Sequence, residues 1–81
     1  MTFLWQEEKG QKYYRVQTDD KSIADKLLRR AGFKLIGRSL NRKNLWIFIC
    51  QFSRPDIARK TLQSITKKTP KIDSEGVIFF G

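Results

Sequence analysis

The segment Leu45–Phe52 constrains the fold of this chain more than any other part of its sequence. Seven of its eight residues are apolar, and they include several β-branched and aromatic side chains. Such residues favour extended backbone, and a run without polar alternation is typical of a buried strand. The segment therefore predicts a central β-strand covered on both faces, with the core built around it.

The residues before this strand predict two further strands and a helix. Strands are expected at 2–6 and 11–18, on either side of a polar loop that contains Gly10. A helix follows, because apolar residues recur at helical spacing after the N-cap candidate Asp20. Gly32 is placed to close that helix, since glycine adopts positive φ without strain.

The rest of the chain predicts one strand that precedes the central strand in the sequence, and a second helix and a terminal strand that follow it. A strand is expected at 33–40, followed by a turn that leads into the central strand. Residues 53–56 have the S-x-x-D form of a capping signal, and the helix that follows should fade before Pro70. A terminal strand is expected at 77–80.

This order, ββαββαβ, predicts an α+β fold. The economical arrangement is a ferredoxin-like plait, an antiparallel sheet with two helices on one face, in a single compact domain over residues 1–81. Residues 1–10 are expected to form an N-terminal strand and hairpin extension. The fold class does not by itself indicate a function.

Length and composition argue against an enzyme. A chain of 81 residues has little material for a closed active site in addition to its core. It has no His, and Cys50 is its single cysteine, so the common catalytic triads, a Cys-built zinc site and an intrachain disulfide are all excluded. We expect no enzymatic activity, no metal site and no cofactor.

The same features predict a protein of the cytoplasm. A single thiol fits a reducing compartment, and no run of about 18 apolar residues is present to cross a membrane. The first residues also lack the basic region and the cleavage site of a signal peptide.

The positive charge is large and unevenly distributed. The 17 Lys and Arg residues exceed the 8 acids and leave a net charge of +9. Residues 26–43 carry seven cations and no acid, and residues 57–72 form a second acid-free block. Because Lys34, Ile36 and Arg38 alternate along the predicted third strand, we expect them to share one face. A cationic strip on the open side of the sheet would result.

Nucleic acid is the partner that such a strip suits best, because cations that neutralise phosphates give affinity in proportion to the contacts made. Aromatic side chains next to the strip would stack unpaired bases. The sequence does not distinguish RNA from DNA. The predicted nucleic-acid-binding residues are Arg29, Arg30, Lys34, Arg38, Arg42, Lys43, Trp46 and Tyr13.

An alternative needs no nucleic acid. The chain could be an adaptor or inhibitor that binds an acidic protein surface, of the kind that phages and mobile elements encode against host nucleic-acid enzymes, or a homodimer through a strand edge. Phe79, Phe80 and Trp5 would then lie at the interface. A continuous cationic stripe would favour nucleic acid, whereas scattered cations beside an exposed apolar patch would favour a protein partner.

Overall fold

The computed structural model of the chain describes residues 1–6, 8, 10–39 and 44–81. These residues form an α+β structure with one antiparallel sheet of six strands and two helices. In chain order the elements are β1 (Thr2–Trp5), β2 (Tyr13–Thr18), α1 (Lys21–Arg29), β3 (Lys34–Ser39), β4 (Leu45–Gln51), α2 (Pro55–Thr66), β5 (Pro70–Ile72) and β6 (Ile78–Phe80). The strand order across the sheet is β3-β4-β2-β1-β6-β5.

The apolar segment forms β4, which lies between β3 and β2 and pairs with both. The expectation that helices or strands cover both of its faces is wrong. Trp46, Phe48 and Cys50 are buried in the core, but the intervening residues Ile47 and Ile49 are only half-buried. The alternation of burial along β4 shows that one face of the sheet is packed and the other is open.

Helix α1 begins where its capping residue predicts. The Asp20 carboxylate accepts hydrogen bonds from the backbone N–H groups of Ser22, at 2.8 Å, and Ile23, at 3.4 Å. Both groups lack a partner inside the first turn, so the carboxylate satisfies them and lies at the positive end of the helix dipole.

Helix α2 begins one residue later than the capping signal predicts. Arg54 is the N-cap and its side chain makes no capping hydrogen bond, so the predicted cap on Ser53 is wrong. Pro55 opens the helix, where its missing N–H leaves no bond unmade. The helix ends at Thr66, and Lys67 closes it in the left-handed conformation with φ of 57°.

Both helices pack on one face of the sheet and bury a single core. The buried apolar residues of the helices join those of the strands in one cluster, which contains Leu4, Tyr14, Val16, Ile23, Ala24, Leu27, Trp46, Phe48, Cys50, Ala58, Leu62, Ile65 and Phe80. One polar pair lies among them: the hydroxyl oxygens of Thr2 and Thr18 are 2.9 Å apart and satisfy each other where β1 and β2 pair.

The predicted element order ββαββαβ is wrong, because the chain order is ββαββαββ. The missed strand is β5. It starts with Pro70 at the sheet edge, where a residue without an N–H is tolerated. The predicted N-terminal hairpin is present, since β1 pairs antiparallel with β2, but β1 also pairs with β6 and so lies inside the sheet instead of extending it.

Because of these two differences, the sheet as a whole does not have the strand order of the predicted ferredoxin-like plait. β2, α1 and β3 do form a split β-α-β unit, with β4 between its two strands. In a plait the strand after the second helix lies beside the first strand of that unit. Here β1 and β6 separate β2 from β5.

Within the described ranges, neither helix is long and apolar enough to cross a membrane.

Candidate functional site

The sheet face opposite the helices is a functional candidate, because no described helix covers it. We call it the open face. It is defined by strand residues that alternate with the buried ones: Phe3, Trp5, Tyr13, Arg15, Gln17, Lys34, Leu45, Ile47, Ile49, Lys71 and Phe79.

Strand register arranges these side chains in rows across the sheet. One row runs through Lys71, Phe79, Phe3, Gln17 and Ile47. Directly opposed residues of an antiparallel pair lie close enough for their side chains to touch. Phe79 and Phe3 are therefore neighbours, and Lys71 lies at the outer end of this row, next to Phe79.

A second row lies next to the first and also combines an aromatic residue with cations. It runs through Trp5, Arg15, Ile49 and Lys34. Arg15 and Lys34 thus share a face with an indole ring and a branched aliphatic side chain. Each of the two rows ends in a lysine on an edge strand, and the two lysines lie on opposite edges of the sheet.

Aromatic side chains on the open face differ in exposure. Tyr13 is 52% exposed at the start of β2, whereas Phe3, Trp5 and Phe79 are half-buried by their neighbours. A shallow cleft of about 300 Å³ lies against Phe3 and Trp5. Its wall includes Asp73, whose carboxylate accepts two backbone N–H groups in the turn before β6 and so has a structural role.

Trp46 does not belong to this face, and its predicted role in stacking bases is wrong. It is 5% exposed and lies in the core with Phe48. Its ring is also covered by the Arg38 guanidinium, whose carbon lies 5.1 Å from the ring centroid. This distance allows a cation–π interaction but leaves no free ring face for a base.

Lys34 and Arg38 do not share a face, so the predicted cationic strip is broken. Lys34 pairs with Ile49 on the open face, whereas Arg38 pairs with Trp46 on the helix side. The reason is a β-bulge between Leu35 and Gly37, which shifts the register. One extra residue in a strand reverses the faces of all residues that follow it.

Arg29 and Arg30 lie on the helix side of the molecule. With Lys26 they line a groove of about 380 Å³ whose other wall is formed by Ser64 and Ile65 of α2. The predicted grouping of Arg29 and Arg30 with Lys34 in one strip is therefore not reproduced. Two other predicted site residues, Arg42 and Lys43, lie outside the described residues.

Cys50 lies among the core residues. Its Sγ donates a weak hydrogen bond to the Tyr14 carbonyl oxygen at 3.6 Å, and burial raises the pKa of the thiol to about 12. Among the described residues, no group of three or more His, Cys, Asp or Glu side chains is placed to hold a metal ion.

Sequence reasoning missed part of the open face. It named Tyr13 and Lys34, and it placed Trp5 and Phe79 at an interface only for a protein partner. It did not include Phe3, Arg15 or Lys71. The alternation of Phe3 with Leu4 was visible, but the pairing of β1 with β6 was needed to bring Phe3 beside Phe79.

Comparison with protein-family models gives no family that matches the chain, and comparisons with curated proteins and with solved structures give no significant match.

Proposed function

We propose that the chain is a non-enzymatic, cytoplasmic module that binds single-stranded nucleic acid on its open face. The observation that carries the proposal is the presence of aromatic rings and cations in the same cross-strand rows. Lys71 lies beside the Phe79–Phe3 pair, and Arg15 lies beside Trp5. Single strands expose both bases and phosphates, so they match both kinds of side chain.

Electrostatic repulsion and counterion release favour an anionic partner over a second copy of the chain. Each copy carries a net charge of +9, so two open faces that approach each other bring like charges together. A nucleic acid instead releases counterions as its phosphates are neutralised. Stacking of a base on an exposed ring such as Tyr13 adds about 1 to 3 kcal/mol.

The first prediction concerns the two edge lysines of the open face. Lys34→Glu with Lys71→Glu should weaken the binding of a fluorescent single-stranded oligonucleotide at low salt. It should also reduce the slope of log K against log salt by about 1.4, because about one phosphate contact is lost per lysine and each contact on a single strand contributes about 0.7. Fluorescence anisotropy at several salt concentrations measures both quantities.

A matched control has the same change in net charge. Lys21→Glu with Arg54→Glu places two carboxylates at the N-terminal ends of the helices, where the helix dipole favours them. This variant should retain the wild-type salt slope apart from a small general effect. Equal weakening in both variants, or the absence of wild-type binding at low salt, would refute the proposal.

A second candidate function is a protein-binding adaptor or inhibitor that acts on an acidic protein surface. It is favoured by the apolar residues Leu45, Ile47 and Ile49, which lie on the open face and have no defined role in binding phosphates. Scattered cations beside such a patch are also the arrangement that we associated with a protein partner. A stoichiometric protein that copurifies from nuclease-treated lysate, together with no oligonucleotide binding, would favour this candidate.

A further inference from the structure

The groove between the ends of the two helices is a second cationic surface that the open face does not include. We call it the helix-end groove, and its lining residues are Lys26, Arg29, Arg30, Ser64 and Ile65. It lies on the helix side of the sheet, where α1 and α2 approach each other near their C-terminal ends.

Only part of the charge of this groove has a structural explanation. The Lys26 ammonium lies 3.5 Å from the Ile65 carbonyl oxygen, and the Arg29 Nε donates to the Asp25 carbonyl oxygen at 3.3 Å. These contacts satisfy backbone oxygens near helix ends, which cations commonly do. Both contacts are to backbone carbonyl groups and not to carboxylates, however, and within the described part of the chain no salt bridge joins these two side chains or Arg30 to an acid.

Two further cations follow α2 in the sequence. Lys67 and Lys68 follow directly after the last turn of α2, which supplies Ser64 and Ile65, and both are exposed. The described lining of the groove itself holds three cations and no acid, and its guanidinium groups are well suited to phosphate oxygens.

The helix-end groove and the open face lie on opposite sides of the sheet layer. The molecule measures 31 × 27 × 23 Å, so a strand that lies flat on the open face does not reach the groove without turning around an edge of the sheet. We propose that the helix-end groove binds the phosphate backbone of a second nucleic-acid segment, so that one chain bridges two segments. This inference rests on the function proposed for the open face.

A capture assay tests bridging. One single-stranded oligonucleotide is immobilised, and a second, labelled oligonucleotide is added with or without protein. The wild-type protein should retain the labelled strand on the support, and Arg29→Glu with Arg30→Glu should reduce that capture about tenfold or more, because phosphates are then repelled from the groove. Arg29→Ala with Arg30→Ala provides a milder version if the double Glu variant does not fold.

Binding to the open face is measured separately in the same proteins. In a Trp46→Phe background Trp5 is the single indole, and its quenching reports a base on the open face. Each groove variant should retain this quenching, and the charge-matched control Lys21→Glu with Arg54→Glu should retain both quenching and capture.

Three results would overturn the inference. If Trp5 fluorescence is quenched but the protein with an unmodified groove captures no second strand, bridging is refuted and the proposed function remains intact. Undiminished capture by both groove variants shows that bridging uses another surface. Absence of any quenching or binding removes the proposed function, and the inference is lost with it.

Discussion

Cys50 and Tyr14 show how burial determines the chemistry of single residues in this protein. The two lie opposite each other on β4 and β2, and both side chains are in the core. Burial raises the pKa of both the Cys50 thiol and the Tyr14 hydroxyl, and their mutual repulsion when charged adds to the shift in the Tyr14 pKa. A neutral thiol is a weak nucleophile, so we assign Cys50 to packing and not to chemistry.

The folded protein should therefore lose stability in alkali. The Cys50 thiol has a pKa of about 12 in the folded protein and a reference value of 9.0. Between these values the unfolded chain has released a proton that the folded chain retains, so the free energy of unfolding falls as pH rises. Urea denaturation at a series of pH values measures this slope.

Cys50→Ala provides the control for this prediction. The variant should be less stable than the wild type at neutral pH because a buried side chain is shortened. It should also show a smaller loss of stability as pH rises above 9.0. Identical pH slopes in the two proteins would contradict the assignment, and so would rapid reaction of the native thiol with a disulfide reagent at neutral pH.

Trp5 and Trp46 show that the alternation of side chains along one strand does not predict which face of that strand is buried. Both indoles lie in strands with alternating side chains, and either could have faced solvent. Trp46 is buried because it lies on the face that the helices cover, whereas Trp5 is half-buried on the open face. The choice between these faces depends on helix packing, which alternation within one strand does not specify.

At the scale of elements, the β-bulge of β3 has the largest effect on the candidate site. Ile36 is the additional residue between Leu35 and Gly37, whose partners Phe48 and Ile47 are adjacent in β4. If all residues of β3, including Ile36, paired regularly, the alternation along the strand would place Lys34 and Arg38 on the same face. The bulge instead directs Arg38 to the ring of Trp46.

Deletion of Ile36 should accordingly be tolerated. The shortened strand would pair regularly, with Leu35 still opposite Phe48 and Gly37 still opposite Ile47. We expect a cooperative unfolding transition and an emission spectrum of Trp46 close to that of the wild type. Circular dichroism and tryptophan fluorescence, in a Trp5→Phe background, measure both.

Deletion of Gln17 is the matched control for this experiment. Gln17 lies in a regularly paired part of β2, between Val16 and Thr18, which are both buried. Its removal exchanges the faces of the residues on one side of the deletion and should prevent folding. If the Ile36 deletion is as damaging as this control, Ile36 is not a dispensable bulge residue.

At the scale of the whole molecule, the charge that favours an anionic partner also opposes folding. A net charge of +9 on 81 residues repels itself in the compact state. The salt bridges between described residues include Asp56 with Arg59, at 2.5 Å, and the Met1 amino group with Asp19. Both are at the surface, where such pairs contribute little.

Salt should therefore have opposite effects on folding and on binding. In the absence of nucleic acid, the thermal midpoint should rise as salt is increased from low to moderate concentration, because screening reduces repulsion among the cations. Oligonucleotide binding should weaken over the same range. Thermal denaturation by circular dichroism, with anisotropy on the same samples, tests this. A midpoint that falls as salt is added would contradict it.

Local sequence patterns account for the types of element, most of their positions and the sign of the net charge. Local rules are sufficient for these properties: Asp20 caps a helix, Pro55 opens one, and Leu45–Gln51 forms a strand because of its own side chains. The positions of the cations in two acid-free blocks, residues 26–43 and 57–72, are also evident from the sequence.

Which side chains share a surface depends instead on contacts between elements that are distant in the sequence. The bulge at Ile36, the insertion of β1 between β2 and β6, and the packing of both helices on one face are non-local. Together they moved Trp46 into the core and Arg38 to the helix side, and they brought Phe3 beside Phe79. The physical reason is that a strand has two equivalent faces, and only pairing and coverage by other elements make them different.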